Sequence, residues 1–101
     1  MKIYRGRRTI DGIQVAVDGG PLAQHDEIKR FSPHGFEWAY EGAEPCQLAL
    51  AILVDHLNDA QRAVAMSEPF MKAVIANLDN DWALTSDEID LALRAIELGR
   101  H

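Results

Sequence analysis

Four histidines, one cysteine and a scatter of serines and carboxylates are the residues of this chain able to do chemistry, and their spacing limits which chemistry. His25, His34, His56, His101 and Cys46 include no close-spaced pair of the kind that builds a zinc site, so no metal is expected. Asp79-Asn80-Asp81 opens like a calcium loop, yet its fifth position is Ala83 and its sixth is Leu84, where the sharp turn demands glycine. A polar turn explains it better. Cys46 stands at the start of a predicted helix, where a thiol can be activated, but it begins an apolar run and reads as core. Asp55 and His56 are neighbours on a helix and therefore point apart; a histidine near a helix C-terminus is accounted for by the dipole. Ser32-Pro33-His34-Gly35 puts a hydroxyl and an imidazole in one loop, with no third group to orient the base. Ser32, His34, Trp38 and Cys46 mark the place where a small enzyme or ligand site would lie. No glycine loop sits between a strand and a helix, so no phosphate cradle and no cofactor are expected, and the chain reads as non-enzymatic.

Charge is more informative than any of these motifs. The 101 residues carry a formal charge of -6, and its distribution is segregated. Lys2, Arg5, Arg7 and Arg8 crowd the first eight positions, while residues 31–60 hold Glu37, Glu41, Glu44, Asp55 and Asp59 with no lysine or arginine. Residues 81–101 set Asp81, Asp87, Glu88, Asp90 and Glu97 against Arg94 and Arg100. An acidic surface repels nucleic acid and attracts the basic grooves that hold it. Glu37, Glu41, Glu44, Asp87 and Asp90 are the expected contacts with a basic partner, the alternative being that the acids only keep the domain soluble; the four early basic residues could touch phosphate or serve equally as protection of a strand edge.

The elements that must position these groups read as one α+β domain over residues 1–101. Length, 48% hydrophobic and 26% charged residues fit a single domain, and no apolar run approaches a membrane span. The N-terminus lacks the apolar stretch of a secretory signal, and the lone cysteine fits a reducing compartment, so a cytoplasmic chain is expected. Asp11-Gly12 predicts a type I′ hairpin pairing Ile10 with Ile13 and Arg8 with Val15, which buries Ile13, Val15 and Val17. Asp18-Gly19-Gly20-Pro21 predicts a second turn, with proline ending the pairing, and residues 22–33 read as a loop with room for one short helical turn or edge strand. Phe36-Glu37-Trp38-Ala39-Tyr40 alternates and predicts a third strand with its rings on one face. A helix opening at Glu44-Pro45 is apolar almost all round and should form the buried centre. A second helix runs from the cap Asp59 towards Leu78, with a kink or break predicted near Ser67-Glu68 because Pro69 removes a donor and clashes with the preceding turn. Thr85 and Glu88 predict a capping box for a third helix ending at Gly99. Its residues Ile89, Ala92, Leu93 and Ile96 make one apolar stripe; Leu91, Ala95 and Leu98 make another, for internal packing or for a homodimer.

The segments Lys2-Ile3-Tyr4-Arg5-Gly6-Arg7-Arg8, Val15 to Leu22, Ser32 to Tyr40, Gln47 to Leu53 and Trp82 to Ile89 together resemble a small bacterial and phage family, a domain of unknown function numbered 6166. The resemblance implies a compact domain of phages and mobile elements and brings no catalytic residues. The chain departs from it at Ala39 and Glu41, which replace a glycine-rich stretch after Trp38, and at Pro69. The expectation drawn from charge and resemblance is an acidic interaction protein. It would bind a basic host protein or a nucleic-acid-handling complex, for instance as an anti-CRISPR-like inhibitor, without touching nucleic acid or membrane.

Overall fold

A computed structural model describes residues 2–99; Met1, Arg100 and His101 lie outside the described residues, and so does the reading made of His101. The chain is an α+β domain with a four-stranded antiparallel sheet in the order β3-β2-β1-β4 and three helices. The strands are β1 (Ile3–Thr9), β2 (Gly12–Val17), β3 (Gly20–Pro21) and β4 (Trp82–Thr85).

The first hairpin forms where Asp11-Gly12 predicts one, but two residues out of the expected register. Thr9 faces Gly12, Arg8 faces Ile13 and Gly6 faces Val15. Ile10 and Asp11 form a two-residue tip without positive φ, and only Gly12 after them turns positive, at 118°, so the tip lacks the type I′ geometry expected of it. Thr9 fixes this choice: its Oγ1 donates to the Gly12 carbonyl at 2.8 Å and accepts from the Asp11 N–H at 3.2 Å. A shift of two residues leaves every side chain on its expected face, so Ile13, Val15 and Val17 still pack on the core. The positive-φ pair of a type I′ turn occurs instead at Asp18 (50°) and Gly19 (87°). It returns the chain as β3, which pairs with Val17 and Ala16 and stops at Pro21.

The predicted aromatic strand does not form. Residues 35–38 are irregular, Ala39 takes φ 75°, and the three rings part company: Trp38 is fully buried, Phe36 half-buried and Tyr40 exposed. The place beside β1 belongs to β4, which pairs Trp82 with Gly6 and Thr85 with Ile3. Gly6 is required there, because a Cβ would stand 2.4 Å from the Trp82 indole.

α1 (Ala43–Leu57) is buried from Pro45 to Leu53 and forms the centre of the core. Pro45 lies in its first turn, where a missing N–H goes unused. α2 (Ala60–Ala73) starts at the Asp59 cap and, contrary to the predicted break, continues through Pro69. The carbonyl deprived of its donor belongs to Ala65, on the exposed side of the helix where water can serve it. The chain leaves α-geometry only at Val74, followed by one 3-10 turn, Ile75–Asn77. α3 (Ser86–Leu98) has the expected capping box, with Thr85 and Glu88 exchanging hydrogen bonds of 3.2 and 2.9 Å. Ile89 and Leu93 face the core, whereas Leu91 and Leu98 are 65% and 70% exposed. The second stripe of α3 is therefore left uncovered by the domain.

Candidate functional site

Two polar knots fix the long segment between β3 and α1, and both begin with a residue whose type looks wrong for its place. Gln47 is the amide in the apolar run of α1 and is fully buried. Its Oε1 accepts from the Phe31 and Ser32 N–H groups at 2.7 and 3.2 Å, and its Nε2 donates to the Gln24 and Lys29 carbonyls at 2.9 and 3.1 Å. One side chain thus satisfies four backbone groups of a loop that has no ladder of its own. Arg8 is the second. It stands on the inner face of β1 at the rim, with its guanidinium 4.7 Å from the Trp38 ring centre. It donates to Glu37, to the Trp38 carbonyl at 3.0 Å and to Asn80 Oδ1 at 2.6 Å, joining three segments distant in sequence. Beneath it Trp38 and Trp82 meet edge to face, 5.7 Å between centroids.

The acids expected to meet a partner are divided by this architecture. Glu37 is held by Arg8 and also accepts from the Trp38 N–H. Glu44 accepts from Ser32 Oγ at 2.8 Å and from the Tyr40 hydroxyl at 2.9 Å, and these bonds, Ser32 first, hold its carboxyl below the ordinary value. Tyr40 is pushed up by desolvation and then by Glu44. Asp90 lies 2.6 Å from His56 Nε2 at the far end of α1. Glu44 and His56 are twelve residues apart on one helix, about 18 Å, so Glu37, Glu41 and Glu44 form one group and Asp87 and Asp90 another. Glu41 and Asp87 are exposed and make no ion pair among the described residues.

The residues of the alternative enzyme reading are likewise committed. Ser32 is buried, and what it receives from His34 is a backbone N–H at 3.0 Å, not the imidazole. Cys46 is buried, and desolvation, then Glu68, push its thiol up to about 11. Asp55 and His56 diverge as their adjacency on α1 requires. Burial would raise Asp55, but the 2.6 Å bond from the Tyr4 hydroxyl and the 3.1 Å contact with Lys2 outweigh it, and the carboxyl is held low. Tyr4 in turn is pushed far above the usual phenol range, by burial first and then by Asp55. No group of three metal-ligating side chains occurs among the described residues.

One concavity is formed by the loop and the sheet together. A groove of about 740 Å³ runs along residues 12–16 of β2, with Leu22, Gln24, His34, Gly35 and Phe36 on its other side. Sequence reading missed it, along with the roles of Gln47 and Arg8. A lone amide in an apolar helix is a legible signal, whereas a groove made by long-range packing leaves none.

Residues 4–95 match the model of a family of unknown function, DUF6166, and the chain belongs to that family. No curated protein and no solved structure matches the chain.

Proposed function

We propose that this member of the DUF6166 family acts by binding another protein rather than by catalysis, presenting the outer face of α3 to a basic surface of its partner. The observation that carries the reading is the uncovered row on that helix. Leu91 and Leu98 lie seven residues apart, about 10.5 Å, on the side opposite Ile89 and Leu93, and are 65% and 70% exposed. A small domain has little apolar surface to spare, and an exposed leucine pair rimmed by charge has the anatomy of an interface centre. The rim is acidic at the N-terminal end, where Asp87, Glu88 and Asp90 gather in a chain of net charge -6. The complementary surface is apolar at its middle and basic at its border. In its most concrete form the partner is a host protein whose basic groove otherwise holds nucleic acid, and the domain is a mobile-element inhibitor of it. Catalysis is disfavoured because Ser32, Cys46 and His56 are each engaged in the packing described above.

Two leucines and Ala95 fall short of the roughly 800 Å² per partner of a stable interface, so charge must supply much of the recognition and self-association is the weaker use of the face. The test compares the native protein with two folded variants, Leu91→Ser/Leu98→Ser and Asp87→Lys/Asp90→Lys. Each is titrated against a partner captured from lysate and then purified. Both variants should lose at least tenfold in affinity, native binding should weaken with salt, and DNA or RNA should compete. Equal binding by all three proteins refutes the proposal. Native dimers that the leucine variant abolishes would assign the face to a second copy instead.

A further inference from the structure

We infer a second, separate binding site: the open edge of β2 and the groove beside it accept one extended peptide strand. This inference does not depend on the α3 reading, since α3 follows β4 at the opposite side of the sheet.

The backbone argument is one of parity. In an antiparallel ladder alternate residues direct their N–H and C=O groups to opposite neighbours. The Leu22 N–H bonds the Val15 carbonyl at 3.1 Å, so Val15 points away from β1, and Ile13, two residues earlier, points the same way. β3 covers only Ala16 and Val17. The Ile13 N–H, the Ile13 carbonyl and the Val15 N–H therefore face the groove with no strand to meet them. Natural sheets blunt such edges with lysine, proline or a bulge pointing outward, yet Ile13, Gln14 and Val15 carry none of these. The other edge is short: β4 has four residues, between the Asp79-Asn80-Asp81 turn and the capping box of α3.

The groove decides the occupant. Its lining also takes in Gln24 and His34 to Phe36, loop residues that the edge of a second whole sheet would have to pass and a single extended chain would not. The stretch of β2 outside β3, residues 12–15, spans about 13 Å, enough to pair about three residues of ligand, with Leu22 already at the Val15 carbonyl. Side chains of an added strand that share the face of Ile13 and Val15 meet Leu22 and Phe36, which are apolar. Those on the other face meet Gln14 and Ala16. The lining holds no acid, lysine or arginine, so the ligand is an uncharged segment alternating aliphatic with hydroxyl or amide side chains, recognised by strand addition.

The experiment uses an acetylated, amidated peptide that alternates valine with threonine between terminal lysines, and a scrambled peptide of the same composition. Binding is followed by NMR on the full chain. The alternating peptide should bind at least tenfold more tightly than the scrambled one and slow amide exchange at Ile13 and Val15. N-methylating the valines or the threonines separately should abolish binding for one set and spare the other, because only alternate N–H groups face β2. On the protein, Val15→Pro removes an outward donor without touching the β1 ladder and should cost at least tenfold in affinity. Should that variant fail to fold, the methylated peptides still decide the matter. Equal effects of the two methylation patterns, binding without protection of Ile13 and Val15, or no binding at millimolar peptide would each overturn the inference. So would a dimer that occupies this edge and is lost in Val15→Pro.

Discussion

Replacing Gln47 by methionine keeps the length of the side chain and deletes every hydrogen bond it makes, so it isolates what the buried amide contributes. Four bonds to loop backbone are lost. At about 1 kcal/mol net for each, the loss is about 4 kcal/mol, and the more apolar thioether offsets about 1 kcal/mol of it. Gln24 and Lys29 are exposed and their carbonyls can turn to water, whereas the Ser32 N–H is buried and left without a partner, so this sum is a floor. A net of about 3 kcal/mol lowers the melting temperature of a domain this size by about 12–24 °C. Urea unfolding supplies the free energy, and native-state hydrogen exchange supplies the location: the Phe31 and Ser32 amides should lose protection before those of α1. Gln47→Glu adds a control with a sign. A carboxylate would face the Gln24 and Lys29 carbonyls and needs a proton to donate, so its folded-state pKa is raised. Its stability is then greatest below about pH 4 and declines as pH rises through the folded value. A methionine variant within about 1 kcal/mol of the native protein, with Phe31 and Ser32 still protected, refutes the reasoning that the amide holds the loop.

Gly6→Ala, which forces a methyl group into the Trp82 indole, should cost about 1–3 kcal/mol. Combined with Trp82→Leu the two penalties should fall short of additive by a similar amount, as a double-mutant cycle by chemical denaturation would show. Ala39 sits at φ 75° on the exposed loop, so Ala39→Gly should stabilise the domain by about 0.5–1 kcal/mol, and a lower melting temperature would count against the left-handed assignment. Tyr4→Phe removes a donor to a carboxylate and should cost about 1.5–3 kcal/mol at neutral pH. Because the folded-state value of Asp55 is depressed, the contribution of this pair is present above its ordinary value near 3.8 and is lost as pH falls through the lower folded value. The difference between native and Tyr4→Phe should therefore shrink in acid. Tyr4 itself is raised from 10.0, so native stability should also fall above about pH 10, an alkaline arm that the phenylalanine variant loses.

What the sequence made legible follows from how local the determinants are. The capping box at Thr85 and Glu88 closes within four residues, the Asp59 cap acts on Arg62, and the burial of α1 is written into an apolar run; each appears where expected. The hairpin register failed for a reason equally local but finer, the preference of the Thr9 hydroxyl for the 10–11 tip. Pro69 misled because the cost of a helical proline depends on whether the freed carbonyl is wet, a property of Ala65's surroundings. The third strand failed for a non-local reason. Phe36, Trp38 and Tyr40 alternate as a strand should, but alternation states only that neighbours differ in burial, and here each ring finds a different partner. The strand that does pair with β1 arrives from residue 82 onward, its four residues too short to announce themselves. Of the five acids singled out by charge, the structure engages Glu37, Glu44 and Asp90 internally, because charge counts carry no information about who stands opposite.

The segment where pattern reading failed is the one whose placement creates the groove. Residues 22–42 contain no helix and no strand, yet their backbone groups are met by Gln47, by the Ser32 hydroxyl and by the Ile75 carbonyl, which accepts from the Ala39 N–H at 3.0 Å. A loop held by side chains of a buried helix keeps its position without joining the sheet, and that is the condition for a gap to persist beside β2. Had Phe36 to Tyr40 formed a strand, it would have supplied a further ladder and a further edge; held as irregular chain, it leaves the Ile13 N–H and carbonyl and the Val15 N–H facing the groove. The Gln47 amide therefore couples stability to recognition. A variant that frees the loop should loosen peptide binding even though Gln47 lies in the core and touches no ligand, and the alternating peptide titrated against Gln47→Met at a temperature where the variant is folded measures that coupling. Unchanged affinity would show that the loop residues of the groove contribute nothing and that the open edge of β2 alone recognises the strand.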